Sequence, residues 1–286
     1  MSDIDTPPFA LFIRGPSDVI FTLSDTLGFD AEMKALAVSV FEDGPQHMHV
    51  QALFAHEAEA QACLKTLELD GLEHFITQLP DEDWTAKSQA GLPPVLAGRF
   101  FVYGSHDADK IPPDCPYPIQ IDAGIAFGTG HHGTTKGCLL AFDDYIQNNT
   151  PSQILDLGCG AGVLAIAAAK ALNIPVQASD IDGDAVQVTD DNAVLNQVAH
   201  LIHAFKQDGL IAVQEFDLIF ANILAGPLIT LAPDIAQALK PNGAVILSGL
   251  LDEQSGKVVL AYKAQGLHLT RHASLAGWTS LTMKKA

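Results

Sequence analysis

Basic residues are scarce in this chain: 15 lysines and arginines stand against 34 aspartates and glutamates, a formal charge of −19 over 286 residues. A surface this negative repels a phosphate backbone, because protein affinity for it comes from lysine and arginine releasing counterions; bare nucleic acid is therefore not an expected ligand. A basic protein is attracted more easily, although acidity that merely keeps the chain soluble accounts for the charge equally well. Long apolar runs are missing too. The longest, Val163 to Leu172, is interrupted by Lys170 and falls short of the roughly 20 residues that cross a bilayer, so no membrane helix is expected. Cysteine is sparse: Cys63, Cys115, Cys138 and Cys159 lie 52, 23 and 21 residues apart. No two of them have zinc-ligand spacing, which argues against both a structural metal and a disulfide scaffold. The opening Met1-Ser-Asp-Ile-Asp-Thr-Pro-Pro lacks the basic and apolar regions of a secretory signal, so the expected location is the cytoplasm.

With 48% hydrophobic and 17% charged residues, this is a folding sequence and not a disordered acidic one. At roughly 150 residues per domain its length suggests two domains. The first 80 residues predict a β-α-β-β-α-β order, which is ferredoxin-like. The elements are a strand at Phe9 to Arg14, a helix at Ser17 to Leu27 closed by Gly28, strands at Ala35 to Phe41 and His47 to Phe54, a helix at His56 to Leu67 and a strand at His74 to Leu79. Residues 81–98 mix charge with proline and glycine and read as a linker, with Trp84 as a packing anchor. From Arg99 onward strands alternate with helices, the signature of a parallel α/β sheet. Candidate strands are Ile154 to Leu157, Val176 to Asp180, Phe216 to Ala221 and Ala244 to Ser248, with helices near 162–171, 183–196, 225–239 and 252–264.

The most informative stretch is Ile154-Leu-Asp-Leu-Gly-Cys-Gly-Ala-Gly-Val-Leu-Ala-Ile-Ala-Ala-Ala-Lys. A short buried strand runs into Gly158, Gly160 and Gly162 and then into an alanine-rich helix. Glycines let a ligand approach the backbone, and the helix start presents unpaired amides to an electronegative group. Asp180 ends the next strand, 22 residues beyond Gly158, where an acidic side chain can bond both hydroxyls of a ribose. Dinucleotide enzymes want Gly-x-Gly-x-x-Gly, but here Val163 stands where that pattern expects the last glycine. The Asp-x-Gly-x-Gly-x-Gly spelling from Asp156 is instead that of class I S-adenosylmethionine methyltransferases. Cys159 reads as a small loop residue, and Asp156 and Asp217 as weaker candidates that cap or orient the loop.

Three further segments carry a resemblance to one family: Ile121-Asp-Ala-Gly-Ile-Ala-Phe-Gly-Thr-Gly-His-His-Gly-Thr-Thr; Asp182 with Asp191-Asn192-Ala193 and Asn196; and Phe216-Asp-Leu-Ile-Phe-Ala-Asn-Ile-Leu-Ala-Gly-Pro. With the glycine loop they resemble PrmA, the bacterial methyltransferases of ribosomal protein L11, strongly over about residues 99–286. The resemblance implies a Rossmann-like class I methyltransferase domain over 99–286 behind a smaller ferredoxin-like substrate-recognition domain over 1–80. It implies S-adenosyl-L-methionine as cofactor and L11 as protein substrate, methylated on lysine side chains and the N-terminal α-amine. It implies cofactor contacts from Thr135, Gly158, Asp180 and Asn222, with Phe127 to Gly130 folding over the cofactor; Phe127, Gly128 and Gly160 join the candidate contacts.

Thr134 and Thr135 stand where an amphipathic helix, Thr135 to Tyr145, opens, so helix capping is their plain alternative role. Gly128 and Gly130 suit a turn that closes over a ligand. His131 and His132 are adjacent and point apart, which makes a shared metal site improbable. Many family members have Thr-His-Pro where this chain has His131-His132-Gly133, a departure that loosens the helix start. Asn222 ends an apolar strand, where ligands of open α/β sheets bind. Its amide oxygen is placed to accept from an incoming amine, like the Asn-Pro-Pro motifs of other amino methyltransferases; a turn asparagine bonded to its own backbone is the alternative. Three other functions stay open: a methyltransferase of another protein or small amine, a catalytically silent cofactor-binding module that docks on a ribosomal partner, and, more distantly, a dinucleotide oxidoreductase.

Overall fold

The computed structural model describes residues 8–29, 33–42, 47–79, 94–121, 133–210 and 215–286. The chain divides into two compact units, residues 1–84 and 85–286.

In the first unit β1 (Phe9–Pro16), α1 (Ser17–Phe29), β2 (Ala37–Glu42), β3 (His47–Phe54), α2 (Glu57–Thr66) and β4 (Glu73–Gln78) follow one another. The strands form a single antiparallel sheet in the order β2-β3-β1-β4, the split β-α-β arrangement of ferredoxin-like folds. Strand alternation decides which face the helices cover. Leu11 and Ile13 of β1 and Val50, Ala52 and Phe54 of β3 are fully buried in one core with Ile20 and Leu27 of α1 and Ala60 of α2. The helix α1 runs through Gly28 to Phe29 and does not close at the glycine. A glycine inside a helix costs about 1 kcal/mol, and burial of Leu23 and Leu27 against the sheet offsets it.

The second unit opens with β5 (Val95–Ala97), which pairs antiparallel with β6 (Phe100–Tyr103); β6 pairs parallel with β7 (Tyr117–Gln120). The end of the predicted linker is therefore a strand. Burial of Ala97, Phe100 and Val102 overrides a local composition of proline and glycine that reads as loop.

The principal sheet has seven strands, β8 (Ile154–Leu157), β9 (Val176–Asp180), β10 (Ile202–Lys206), β11 (Phe216–Asn222), β12 (Leu239–Leu251), β13 (Leu267–Leu275) and β14 (Trp278–Lys285), in the order β10-β9-β8-β11-β12-β14-β13. Neighbours from β10 to β12 are parallel; β14 runs antiparallel between β12 and β13. Helices α3 (Gly133–Ile146), α4 (Val163–Leu172), α5 (Gly183–Leu195), α6 (Ala225–Thr230), α7 (Ala232–Ala238) and α8 (Ser255–Ala264) complete the unit. Ile154, Ala178, Leu218, Phe220 and Ile246 face a core built with α3 and α4. Leu155, Leu157, Ile219, Ala221 and Leu247 face a second core built with α6, α7 and α8. Burial on both faces explains why these strands read as continuous apolar runs.

The helix predicted over 225–239 is two helices broken at Leu231. Pro233 is the cause: it lacks an N–H to continue the ladder and sits instead in the first turn of α7. The helix predicted from 252 begins as a 3-10 turn, Asp252–Gln254, because the Asp252 carboxylate accepts from the hydroxyls of Ser274 and Thr279, each at 2.6 Å. Order reverses between β8 and β11, and that switch point opens a crevice at the carboxyl ends of the two strands.

Candidate active site

At the end of β8 the chain turns through Gly158, Gly160 and Gly162, with φ of 71°, 53° and 79°. Any L-residue in this left-handed region pays roughly 1–2 kcal/mol. A side chain on Gly158 would collide with Ile223, which follows β11, and one on Gly162 would come within 2.9 Å of the Thr189 methyl. The amides of Gly158 and Cys159 both donate to the Ser179 carbonyl, at 2.8 and 3.0 Å. Helix α5 holds the loop from behind. Thr189 Oγ1 donates to the Gly160 carbonyl at 2.9 Å and Asn192 Nδ2 to the Ala161 carbonyl at 2.9 Å. Asn196 accepts from the Gln120 amide at 3.0 Å and donates to the Gln120 carbonyl at 2.6 Å, which ties the end of β7 to the same helix. Thr189 is a site-building residue that motif reading missed. Its signal is the spacing 189, 192, 196, which places three polar residues on one buried helix face.

Two carboxylates organise the loop. Asp156 is 1% exposed, and its Oδ2 accepts the Ala165 amide at 2.9 Å. Gly162, at the cap position of α4, has no side chain to do this, so a residue of the strand caps the helix. Burial drives the Asp156 pKa up to about 7, against the lowering by the Ala165 amide and with a further push from the Asp180 charge. Asp180, at the end of β9, accepts the Gly160 amide through Oδ2 at 2.9 Å and the Asp182 amide through Oδ1 at 3.0 Å. Each oxygen keeps a second acceptor direction, so a residue expected only to meet a ribose also fixes the turn. Asp217 is elsewhere. It lies at the amino end of β11, where the Ser152 and Gln153 amides, the Ser152 hydroxyl and Lys240 surround it. Burial raises its pKa, but these donors outweigh burial and bring it to about 2.

Across the switch point, Ala221 pairs with Leu157 and Asn222 with Ser248. Asn222 is thus one residue beyond the strand position beside the glycine loop. Its Nδ2 donates to Thr135 Oγ1 at 3.3 Å, while its Oδ1 is buried and has no hydrogen-bond partner among the described residues. The alternative of a turn asparagine satisfied by its own backbone is therefore not what the structure contains. The threonines are not helix caps either: α3 begins at Gly133, so Thr134 and Thr135 lie inside its first turn, each 2% exposed. Thr134 Oγ1 is a second buried oxygen without a partner among the described residues. Behind Asn222, Gly249 has φ of 86°, and a side chain there would overlap the Ile223 carbonyl; sequence reading had left this glycine unremarked.

Thr135, Gly158, Gly160, Asp180 and Asn222 thus gather around the carboxyl ends of β8, β9 and β11. Phe127, Gly128, Gly130, His131 and His132 lie outside the described residues, as does Trp84. Cys159 is buried, and burial pushes its thiol up, away from a reactive thiolate. Among the described residues no group of histidine, cysteine, aspartate and glutamate could hold a metal ion, and no helix is long and apolar enough to cross a membrane.

A family model described as ribosomal protein L11 methyltransferase (PrmA) matches residues 20–286. The ribosomal protein L11 methyltransferase of Bradyrhizobium diazoefficiens is 45% identical over 260 residues, 87% of this chain and 88% of the relative. That of Rhodopseudomonas palustris is 42% identical over 96% of this chain and 97% of the relative. Among solved structures, the ribosomal protein L11 methylase of Lactobacillus delbrueckii subsp. bulgaricus matches with a TM-score of 0.61 at 29% identity, covering 68% of this chain and 99% of that one.

Proposed function

The chain belongs to the PrmA family of ribosomal protein L11 methyltransferases; it is an S-adenosylmethionine-dependent protein methyltransferase, and we propose that the groups it modifies on L11 are lysine side chains and the N-terminal α-amine. The observation that carries this reading is Asn222 Oδ1, a buried acceptor without a described partner at the carboxyl end of β11. A buried polar atom left unpaired costs roughly 1–3 kcal/mol, so the fold keeps it at a site where a donor is supplied from outside.

The chain's residues fit the cofactor. Side-chain-free turns at Gly158 and Gly160 leave the backbone approachable, the start of α4 favours an electronegative group, and the remaining acceptor directions of Asp180 suit a pair of ribose hydroxyls. Bound there, S-adenosylmethionine supplies a methyl group on a positive sulfonium, an electrophile that the protein need not activate.

What the protein must do is hold an amine with its lone pair free. An α-amine with pKa of about 7.7–8 is partly neutral near pH 7, whereas a lysine near 10.4 must shed its proton to water or through desolvation. Asn222 Oδ1 accepts one N–H of the amine and so turns the lone pair toward the methyl group; fixing two reactants in this way contributes several kcal/mol. Thr135 holds the Asn222 amide by its nitrogen, which leaves the oxygen for the substrate. The ferredoxin-like unit presents the protein substrate, and the reaction takes place in the cytoplasm, where ribosomal proteins are made.

The test is to incubate the protein with methyl-labelled S-adenosylmethionine and purified L11, then to map label by mass spectrometry. Label on lysine Nζ and on the N-terminal nitrogen is expected, with at least a hundredfold lower rate for Asn222→Ala at unchanged cofactor affinity. Label confined to other atoms, or a full rate in Asn222→Ala, overturns the assignment.

A further inference from the structure

The face of the four-stranded sheet that α1 and α2 leave uncovered carries an unbroken row of rings, one from each strand. Phe41 of β2 stacks on His49 of β3 with ring centroids 5.0 Å apart. His49 is 6.1 Å from Phe12 of β1, and Phe12 stacks on Phe75 of β4 at 4.9 Å. The order Phe41, His49, Phe12, Phe75 is the strand order of the sheet, so the row crosses its whole width. Its two ends are open: Phe41 is 42% and Phe75 58% exposed. An aromatic ring left in water forfeits the burial that drives folding, and a row of four across an otherwise polar face is a patch, not a scatter of single residues.

Charge says what covers it. Residues 1–84 contain 16 acidic and three basic residues, a balance of −13 within the chain total of −19, although this unit is less than a third of the length. One of its three cations, Arg14 on the same sheet face, pairs with Glu73 at 3.5 Å. An aromatic strip in so negative a unit suits a protein partner of opposite charge, with rings as the buried anchors and the acidic surroundings steering the encounter. The same charge opposes RNA, which otherwise stacks on exposed rings of such sheets.

We propose that the Phe41–His49–Phe12–Phe75 row is the surface on which this unit docks its basic protein substrate, L11. The proposal rests on the functional reading above and adds the residues that make the contact. Removing rings at the core of an interface typically costs tenfold or more in affinity each.

The experiment uses the full chain and its Phe41→Ser/Phe75→Ser variant. Calorimetry gives the affinity for purified L11 and, separately, for S-adenosylmethionine; the labelled-methyl assay is read in parallel. The expected result is L11 binding weakened at least thirtyfold, unchanged cofactor affinity and an unchanged thermal midpoint, with the loss in methylation falling on KM and not on kcat. Phe75→Ser alone, at the more exposed end, is read if the double variant does not fold and should weaken binding at least fivefold. Equal L11 affinity in wild type and variant overturns the surface while leaving the methyltransferase reading intact. A wild type that does not bind L11 overturns the surface too; wild-type binding without label transfer removes the functional reading alone. A wild-type dimer that the substitutions dissolve, or single-stranded RNA binding that they abolish, with L11 affinity unchanged in either case, also overturns it.

Discussion

Asn222 and Thr135, 87 residues apart in sequence, meet through one hydrogen bond of 3.3 Å from Asn222 Nδ2 to Thr135 Oγ1. The bond decides which end of the amide is free. With nitrogen committed to the threonine, the oxygen is what the site presents, and an oxygen is the acceptor a substrate amine needs.

Thr135→Val removes that acceptor and lets the amide rotate. The expected loss is about tenfold in kcat, the equivalent of one hydrogen bond of roughly 1–1.5 kcal/mol. Thr135→Ser restores most of it. Steady-state kinetics on L11 for both variants check the claim; if valine and serine perform alike, the hydroxyl has no positioning role.

Asp156 makes a pH signature. Its folded pKa of about 7 lies above the ordinary 3.8, so between those values the folded protein holds a proton that the unfolded chain releases. This group's contribution is therefore most favourable below about pH 4 and is lost as pH rises to 7, with a total swing of roughly 2–4 kcal/mol. Asp156→Asn keeps an acceptor for the Ala165 amide and cannot ionise. Urea unfolding between pH 5 and pH 8 should show the wild type losing stability relative to the variant; parallel curves would exclude the effect.

Asp217 has the opposite sign. Its pKa, held at about 2 against the ordinary 3.8, gives stability that is present above about pH 4 and disappears as pH falls toward 2. Because the carboxylate is partly exposed, the worth of its bonds is about 1–2 kcal/mol. Asp217→Asn should lower stability by that amount at pH 7. Since Asp217 lies at the amino end of β11, away from Asn222 at the other end, kcat on L11 should not change.

Gly249 and Gly266 share a left-handed φ, 86° and 83°, but a side chain on Gly249 meets the Ile223 backbone, whereas nothing lies within 4 Å of the position on Gly266. Gly266→Ala should cost only the conformational term, about 1 kcal/mol, or roughly 2–4 °C in thermal midpoint. Gly249→Ala must also displace Ile223 and with it Asn222 and the Gly158 turn. It should cost at least twice as much and weaken S-adenosylmethionine binding, which differential scanning fluorimetry with and without the cofactor would read. Equal midpoints for the two variants would show that the close packing carries no weight.

Much of this fold was legible because its signals are local. The alternation of β9, α5 and the apolar β11 lies in contiguous windows of sequence, and the glycine loop spells its own strand, turn and helix. The same reasoning overran where a local pattern had a non-local answer. Residues 225–239 have helical composition throughout, yet Pro233 divides them. Residues 95–97 read as linker, yet they are a strand because β6 lies beside them. The strands β10, β13 and β14 escaped notice because their faces mix polar and apolar residues at one edge of the sheet.

The sequence by itself determined the class of ligand, since three alternate glycines between an apolar strand and an alanine-rich helix admit few others, and it determined the acid that ends the next strand. Only the tertiary structure decided what those residues do for one another. Asp156 caps α4, Asp180 braces the Gly160 turn, Thr189 and Asn192 support it from behind, and Thr135 sets the Asn222 amide. Each bond joins groups distant along the chain, and hydrogen bonding is fixed by position within about an ångström, which residue identity and spacing do not specify until the strands have paired.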